Sequence, residues 1–257
     1  MSNTYKEKFQ ELYIRKKNAA YSFFYERNVV VDGINYKYLI CHVDLEILKC
    51  ALDIAKVKSN YTMAYNQAGI PRSMVTKVQK CCQGVLAEMF IHILLMERYK
   101  LDTERFDLER PDFRYYPNEY DINILLNGKA YEVEVRSSNI HHKDIGQFIK
   151  NDVIIGPYTN SIKKREELAS FFFRPIYMPE FKPFEESHGQ YRFSRELFDG
   201  RSLLAITGVA TKDEMENDFH YKSLGQKGTT YRTVDAMTAG DIDEMDRKFE
   251  DFIRSKS

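Results

Sequence analysis

The dipeptide Asn127-Gly128 lies between two runs in which every second residue is apolar: Ile122, Ile124 and Leu126 before it, Tyr131, Val133 and Val135 after it. A period of two is that of a strand with one buried face. Asn-Gly suits the two φ > 0 positions of a type I′ turn. The segment therefore reads as a β-hairpin with a two-residue loop. If Leu126 pairs with Lys129, every other pair follows: Asn123 stands opposite Glu132, and Asp121 opposite Glu134. One face is an apolar layer of six residues, and the other carries Asp121, Asn123, Glu132, Glu134 and Arg136.

The ordinary reading of charged alternation in a strand is a solvated face, and it accounts for Glu132 and Arg136. It does not account for Asp121 and Glu134. Directly opposed residues have Cβ atoms about 4.5–5.5 Å apart, where like charges repel. A divalent cation between two carboxylates reverses the sign of that interaction, and Mg²⁺ is commonly held by one or two carboxylates plus water and phosphate oxygens. The opposed pair thus favours a metal site.

The chain has 257 residues, enough for one large domain or two. Its 38 basic and 38 acidic residues cancel, so a nucleic-acid partner would have to be met by a local patch. Cys41, Cys50, Cys81 and Cys82 lack finger spacing and are expected to be reduced core or near-core residues. No apolar run approaches the ~18–20 residues of a membrane span, and the opening "MSNTYKEKFQELY" lacks an apolar signal core, so a cytoplasmic chain with no membrane association is expected. No G-x-x-x-x-G-K-[ST] occurs, and ATP is not expected.

The flanking segments predict mixed secondary structure. Tyr5 to Arg27 reads as a helix, "NVVVDGINYKYLI" as a hairpin turning at Asp32-Gly33, and Asp44 as the cap of a helix reaching about Lys58. Ala64 to Lys80 invites a helix-turn-helix reading with Gly69 at the turn and Arg72, Lys77 and Lys80 available to phosphates. An ordinary helix-loop-helix is favoured, and either version supplies a basic surface. A long helix spans about Ser73 to Tyr99, with Glu88 at the edge of its apolar stripe; on its own Glu88 reads as a surface residue. After the hairpin, "NDVIIGPYTN" is a strand and "SIKKREELASFFF" a helix start, while Tyr177 to Gly200 reads as irregular. "SLLAITGVA" is a buried strand, and Thr211/Glu214 and Asp241/Glu244 form capping boxes. His141-His142 reads as a polar loop. The order predicts an α/β (α+β) fold around one mixed sheet. A helical N-terminal region, residues 1–72, would supply a DNA-contacting part and residues 73–257 the core with a C-terminal elaboration, or the whole would form one compact domain.

The series "QGVLAEMFIHILL", "RFDLERPDF" and "YDINILLNGKAYEVEVRSS" resembles the core of the PD-(D/E)XK nuclease superfamily, to which most type II restriction endonucleases belong. The resemblance covers about Lys80 to Asn139. It implies a restriction-endonuclease-like central mixed β-sheet flanked by helices, and an acidic helix residue at Glu88, an Asp on the second strand at Asp121, and Glu-x-Lys on the third at Glu134-Val135-Arg136. Arg136 departs from the pattern: arginine stays charged in proteins and cannot act as a general base, although it could orient the attacking water or stabilise transition-state charge. A second register, Glu132-Val133-Glu134, would make Glu132 the metal ligand.

What the resemblance implies is a Mg²⁺-dependent endodeoxyribonuclease, with Mn²⁺ able to substitute. Asp121 and Glu134 would hold the cation with the Val135 carbonyl, and Glu88 would reach it directly or through water. Double-stranded DNA would be cut at a specific site by a homodimer, paired with a cognate DNA methyltransferase in a restriction-modification system. Repair, junction or RNA nucleases, an inactive DNA-binding relative, and an interaction domain with a solvated hairpin are the competing expectations.

Overall fold

In a computed structural model of the chain, the described residues are 4–62, 71–105, 120–140, 144–159 and 167–256, apart from 180, 189, 197, 200 and 225–228. Helix α1, Thr4–Asn18, carries Arg15, Lys16 and Lys17 in its last turn, where cations suit the helix dipole. It stops well before Arg27. Ala20 takes a left-handed φ of 53°, and the valine run 29–31 recruits Phe24–Val31 into strand β1. β-branched residues favour that outcome. β1 folds back on β2, Ile34–Cys41, through Asp32 and Gly33 at φ 50° and 82°, the expected turn.

Helix α2, Leu45–Lys58, is capped by Asp44, whose carboxylate accepts from the Glu46 and Ile47 N–H groups. It packs on α3, Met74–Arg98, capped by Ser73. The hairpin β4, Ile122–Leu126, and β5, Lys129–Val135, has the register expected from Asn127-Gly128: Leu126 faces Lys129, Asn123 faces Glu132, and Ile122 faces Val133. With β3, Asp102–Arg105, it forms an antiparallel meander.

The second half departs from expectation in three places. First, β6, Ser138–Asn139, is followed by a short helix α4, Ile145–Asn151, capped by Asp144, ahead of β7, Val153–Thr159. Second, Phe171–Phe173 form strand β8 rather than continuing a helix. Three consecutive aromatics, all buried, pack on both faces of a sheet, which a one-sided helix would not allow. Residues 160–166 and His141-His142 lie outside the described residues. Third, the segment expected to be irregular holds β9, Ile176–Met178, and a hairpin of β10, Phe184–Ser187, with β11, Gln190–Phe193. "SLLAITGVA" divides at Thr207-Gly208 into β12, Leu203–Ile206, and β13, Val209–Thr211. A side chain at Gly208 would meet the Gly240 carbonyl oxygen at 2.2 Å. The Thr211/Glu214 capping box opens α5, Lys212–Asn217. Strands β14, His220–Lys222, and β15, Thr230–Asp235, precede α6, Ile242–Lys256, whose first turn is capped by Asp241.

The result is a mixed α/β fold with several sheets rather than one. The central sheet runs β13-β8-β5-β4-β3, with β5 and β8 parallel and its other neighbours antiparallel. A second runs β1-β2-β12-β9-β6. Residues from α1, α2, α3, the hairpin and α6 share one core, among them Phe9, Leu48, Phe90, Ile122, Val133 and Phe249. Because β2 pairs with β12, the N-terminal region and the C-terminal elaboration are built into each other. Cys41, Cys81 and Cys82 are buried and all four cysteines are free. Helix α3 is long and apolar enough to cross a membrane by composition, but 83% of that stretch is buried in the fold.

Candidate active site

The charged face of the hairpin is not a solvated one. Asn123 is buried, while Glu132, Glu134 and Arg136 are half-buried. Asp121 stands one position before β4, where the ladder places it across from Glu134, and its carboxylate accepts the Val135 N–H at 2.7 Å. Asp121 keeps part of its surface in solvent, but its carboxyl is closely surrounded by protein. Burial pushes it well above the usual carboxylate range, and the charges of Glu134 and Glu88 push it further; Lys58 and the Val135 N–H pull the other way. The three acidic residues picked out in the sequence therefore share one electrostatic neighbourhood.

Glu134 is not left facing Asp121 without a partner, as the sequence suggested. The Arg136 Nε lies 2.9 Å from its Oε1. The reason is local: residues 134 and 136 point to the same side of the extended chain. Arg136 also lies over the rings of Tyr158 and Tyr231, at 5.4 and 5.9 Å, so its guanidinium is fixed from two sides.

Glu88 is the second correction. It is 5% exposed rather than a surface residue, because α3 is enclosed by α2 and the meander. Its Oε1 is 3.3 Å from Lys58 Nζ and its Oε2 is 3.4 Å from Arg105 Nε. Arg105 is fully buried, and among the described residues neither of its terminal nitrogens has a hydrogen-bond partner. One turn along α3, burial holds His92 neutral, with its pKa lowered to about 3 and the Arg105 charge adding to the effect. Its Nδ1 meets the Thr103 hydroxyl at 3.2 Å. Neither Lys58 nor Arg105 was picked out as a site residue, although Arg105 opens the quoted segment "RFDLERPDF"; both reach Glu88 through the packing of elements distant in sequence.

Glu132 stands directly opposite Asn123, one same-face step from Glu134 and away from Asp121. The three basic residues expected to meet phosphates separate. Lys80 is exposed and lines a cleft of about 670 Å³ together with Arg136. Lys77 turns to the Ser59 carbonyl at 3.4 Å. Arg72 precedes α3 and is not part of the cleft lining. The first helix of the helix-turn-helix reading, with Gly69, lies outside the described residues. Gln83, Ser138, Asn139 and Arg174 complete much of the cleft's polar wall. Gln83 Nε2 donates to Asn139 Oδ1 at 3.1 Å, and the buried Arg174 donates to the Ser138 hydroxyl at 3.1 Å while pairing with Asp152.

Among the described residues no three His, Cys, Asp or Glu side chains cluster closely enough to hold a metal ion by themselves. The pair Asp121 and Glu134 fits Mg²⁺ on narrower grounds. Both donors are oxygen, and Mg²⁺ needs only one or two carboxylates. Burial, and then the charges of Glu134 and Glu88, disfavour the ionised form of Asp121, and a cation beside it would favour that form instead.

No family model matches the chain, and no solved structure does. It is 26% identical over 209 residues to an uncharacterized protein of Methanocaldococcus jannaschii, covering 73% of this chain and 76% of that one. That similarity brings no activity with it.

Proposed function

We propose that the chain is a metal-dependent phosphodiesterase acting on nucleic acid. The particular activity best supported is that of an endodeoxyribonuclease of the type II restriction kind, cutting double-stranded DNA. The observation that carries the reading is that Asp121, on a hairpin, feels the charges of Glu134 on the same hairpin and of Glu88 on a helix, while Lys80, Arg136 and Arg174 line a cleft. It agrees with the order of acidic residues in the PD-(D/E)XK resemblance.

Asp121 and Glu134 would hold Mg²⁺ or Mn²⁺. When bound, the cation would supply Lewis-acid polarisation of the phosphodiester and acidify a water. Arg136 belongs to both the carboxylate pair and the cleft, so its fixed charge sits where a phosphate would be drawn in. It is not a proton acceptor. Lys80 at the cleft would hold the neighbouring backbone phosphate. A homodimer, a partner methyltransferase and a cytoplasmic location belong to the same proposal.

A second reading, an inactive nucleic-acid binder, is favoured by one observation: Glu134 is already neutralised by Arg136. Purified protein incubated with mixed plasmid DNA and Mg²⁺ separates the two. Discrete fragments that disappear with chelator and with Asp121→Ala support the nuclease. Retention of DNA in a mobility shift without any cleavage, over DNA of wide sequence content, supports the binder. Cleavage by Asp121→Ala at the wild-type rate would remove the site assignment.

A further inference from the structure

Lys58 ends the last turn of α2, the end of a helix at which the backbone dipole favours a cation. Its ammonium lies 3.3 Å from one oxygen of Glu88 while Arg105 approaches the other at 3.4 Å. A carboxylate as buried as Glu88 keeps its charge only when paired. These two of its partners differ in kind. The Arg105 side chain is 0% exposed and locked in the core, whereas the Lys58 side chain retains 25% of its surface in solvent. Lys58 thus stands on the open side of Glu88. The Asp121 carboxyl also feels its charge, so Lys58 acts on two of the three acidic groups from an element that carries none of them.

We propose that Lys58 is a positioning residue of the carboxylate centre: its ammonium fixes the Glu88 carboxylate and moderates the negative charge that a divalent cation would meet at Asp121. The activity half of this inference rests on the nuclease reading; the metal-binding half rests only on the carboxylate centre. The two effects have opposite signs. Removing one positive charge should draw a divalent cation in more strongly, while releasing Glu88 should impair the chemistry.

The test compares wild type, Lys58→Met and Lys58→Arg in two assays: Mn²⁺ affinity by calorimetry without nucleic acid, and kcat and KM for plasmid cleavage. Lys58→Met should bind Mn²⁺ about tenfold more tightly and lose about 30-fold or more in kcat, with KM within about threefold. Lys58→Arg should bring both values back toward wild type, since it restores the charge. A merely structural role predicts instead that Mn²⁺ affinity and kcat fall together in Lys58→Met, and that outcome would overturn the proposal. So would unchanged Mn²⁺ affinity, or a wild type that binds no Mn²⁺. If wild type binds Mn²⁺ but cleaves no nucleic acid, the nuclease reading falls, and tighter Mn²⁺ binding by Lys58→Met still supports the role given to Lys58.

Discussion

Asp121→Asn should make the metal-free protein more stable while making it inactive. The substitution keeps an acceptor for the Val135 N–H, 2.7 Å away in the wild type, and removes a charge that faces Glu134 and Glu88. For an opposed pair about 5 Å apart at an effective dielectric constant of about 20, the repulsion is roughly 3 kcal/mol. Arg136 on Glu134 and Lys58 on Glu88 offset part of it, leaving a net gain of about 1–2 kcal/mol. In a chain of this size that corresponds to a rise in Tm of about 2–8 °C. The pH dependence has a defined sign. The Asp121 carboxyl is raised in the fold, so the wild type is relatively most stable below the unfolded-state value and loses that contribution as pH rises through the folded value. The advantage of Asp121→Asn should therefore be absent in acid and should grow as pH rises through the folded value. Melting curves in chelator from pH 4 to pH 8 measure it. Added Mg²⁺ should then raise the Tm of wild type and leave Asp121→Asn unmoved. An Asn variant whose stability relative to wild type does not rise with pH would refute the argument that the carboxylate is held there against repulsion.

The competing registers predict different lethal positions. If Glu134 is the ligand, Arg136→Ala loses several orders of magnitude in cleavage and Arg136→Lys keeps a substantial part, whereas if Glu132 is the ligand, Glu132→Ala is the inactivating change and Arg136→Ala remains measurably active; paired cleavage assays decide. On the nuclease reading, cleavage should depend on Mg²⁺ or Mn²⁺ and not on Zn²⁺, because the proposed donors are oxygen; stoichiometric zinc in purified protein, or activity in excess chelator, contradicts this. Two glycines should respond in opposite directions. Gly208→Ala drives a methyl into the Gly240 carbonyl and should cost about 1–3 kcal/mol or more by denaturant titration. At Gly84, in the α3 interior, the nearest atom is Glu88 Oε1 at 3.9 Å, so Gly84→Ala should gain about 0.5–1 kcal/mol.

The parts of the fold that were legible in the sequence are those fixed by neighbours in the chain. Asn127-Gly128 and Asp32-Gly33 set hairpin registers because a two-residue turn leaves one way to pair the strands. Asp44, Ser73 and Thr211 set helix starts because a cap bonds within three residues. Where the choice depended on distant partners, local reading failed. Tyr21 to Arg27 continued a helical pattern, but β1 is held by its pairing with β2, which pairs in turn with β12. Phe171–Phe173 offered no periodicity of either kind, and their strand is defined by parallel pairing with β5. The same division runs through the site. Asp121, Glu134 and Arg136 were found from one hairpin, whereas Lys58 and Arg105 have no local signature and meet Glu88 only through tertiary packing.

That packing bears on how a chain with no net charge could bind a polyanion. Among the described residues, the carboxyl groups of Asp121, Glu134 and Glu88 have Arg136, Lys58 and Arg105 among their charged neighbours. A divalent cation bound at Asp121 would add positive charge to that neighbourhood, and a phosphodiester would be a natural counter-charge to it. Among the described residues, the cleft beside it is lined by Lys80, Arg136 and Arg174 and by no carboxylate. Field lines concentrate in such a concave surface, so local arrangement can supply what overall composition does not. If the nuclease reading holds, affinity for nucleic acid should therefore depend on the divalent cation as well as on the cleft. Arg136, which touches both, is the residue through which the two would be coupled.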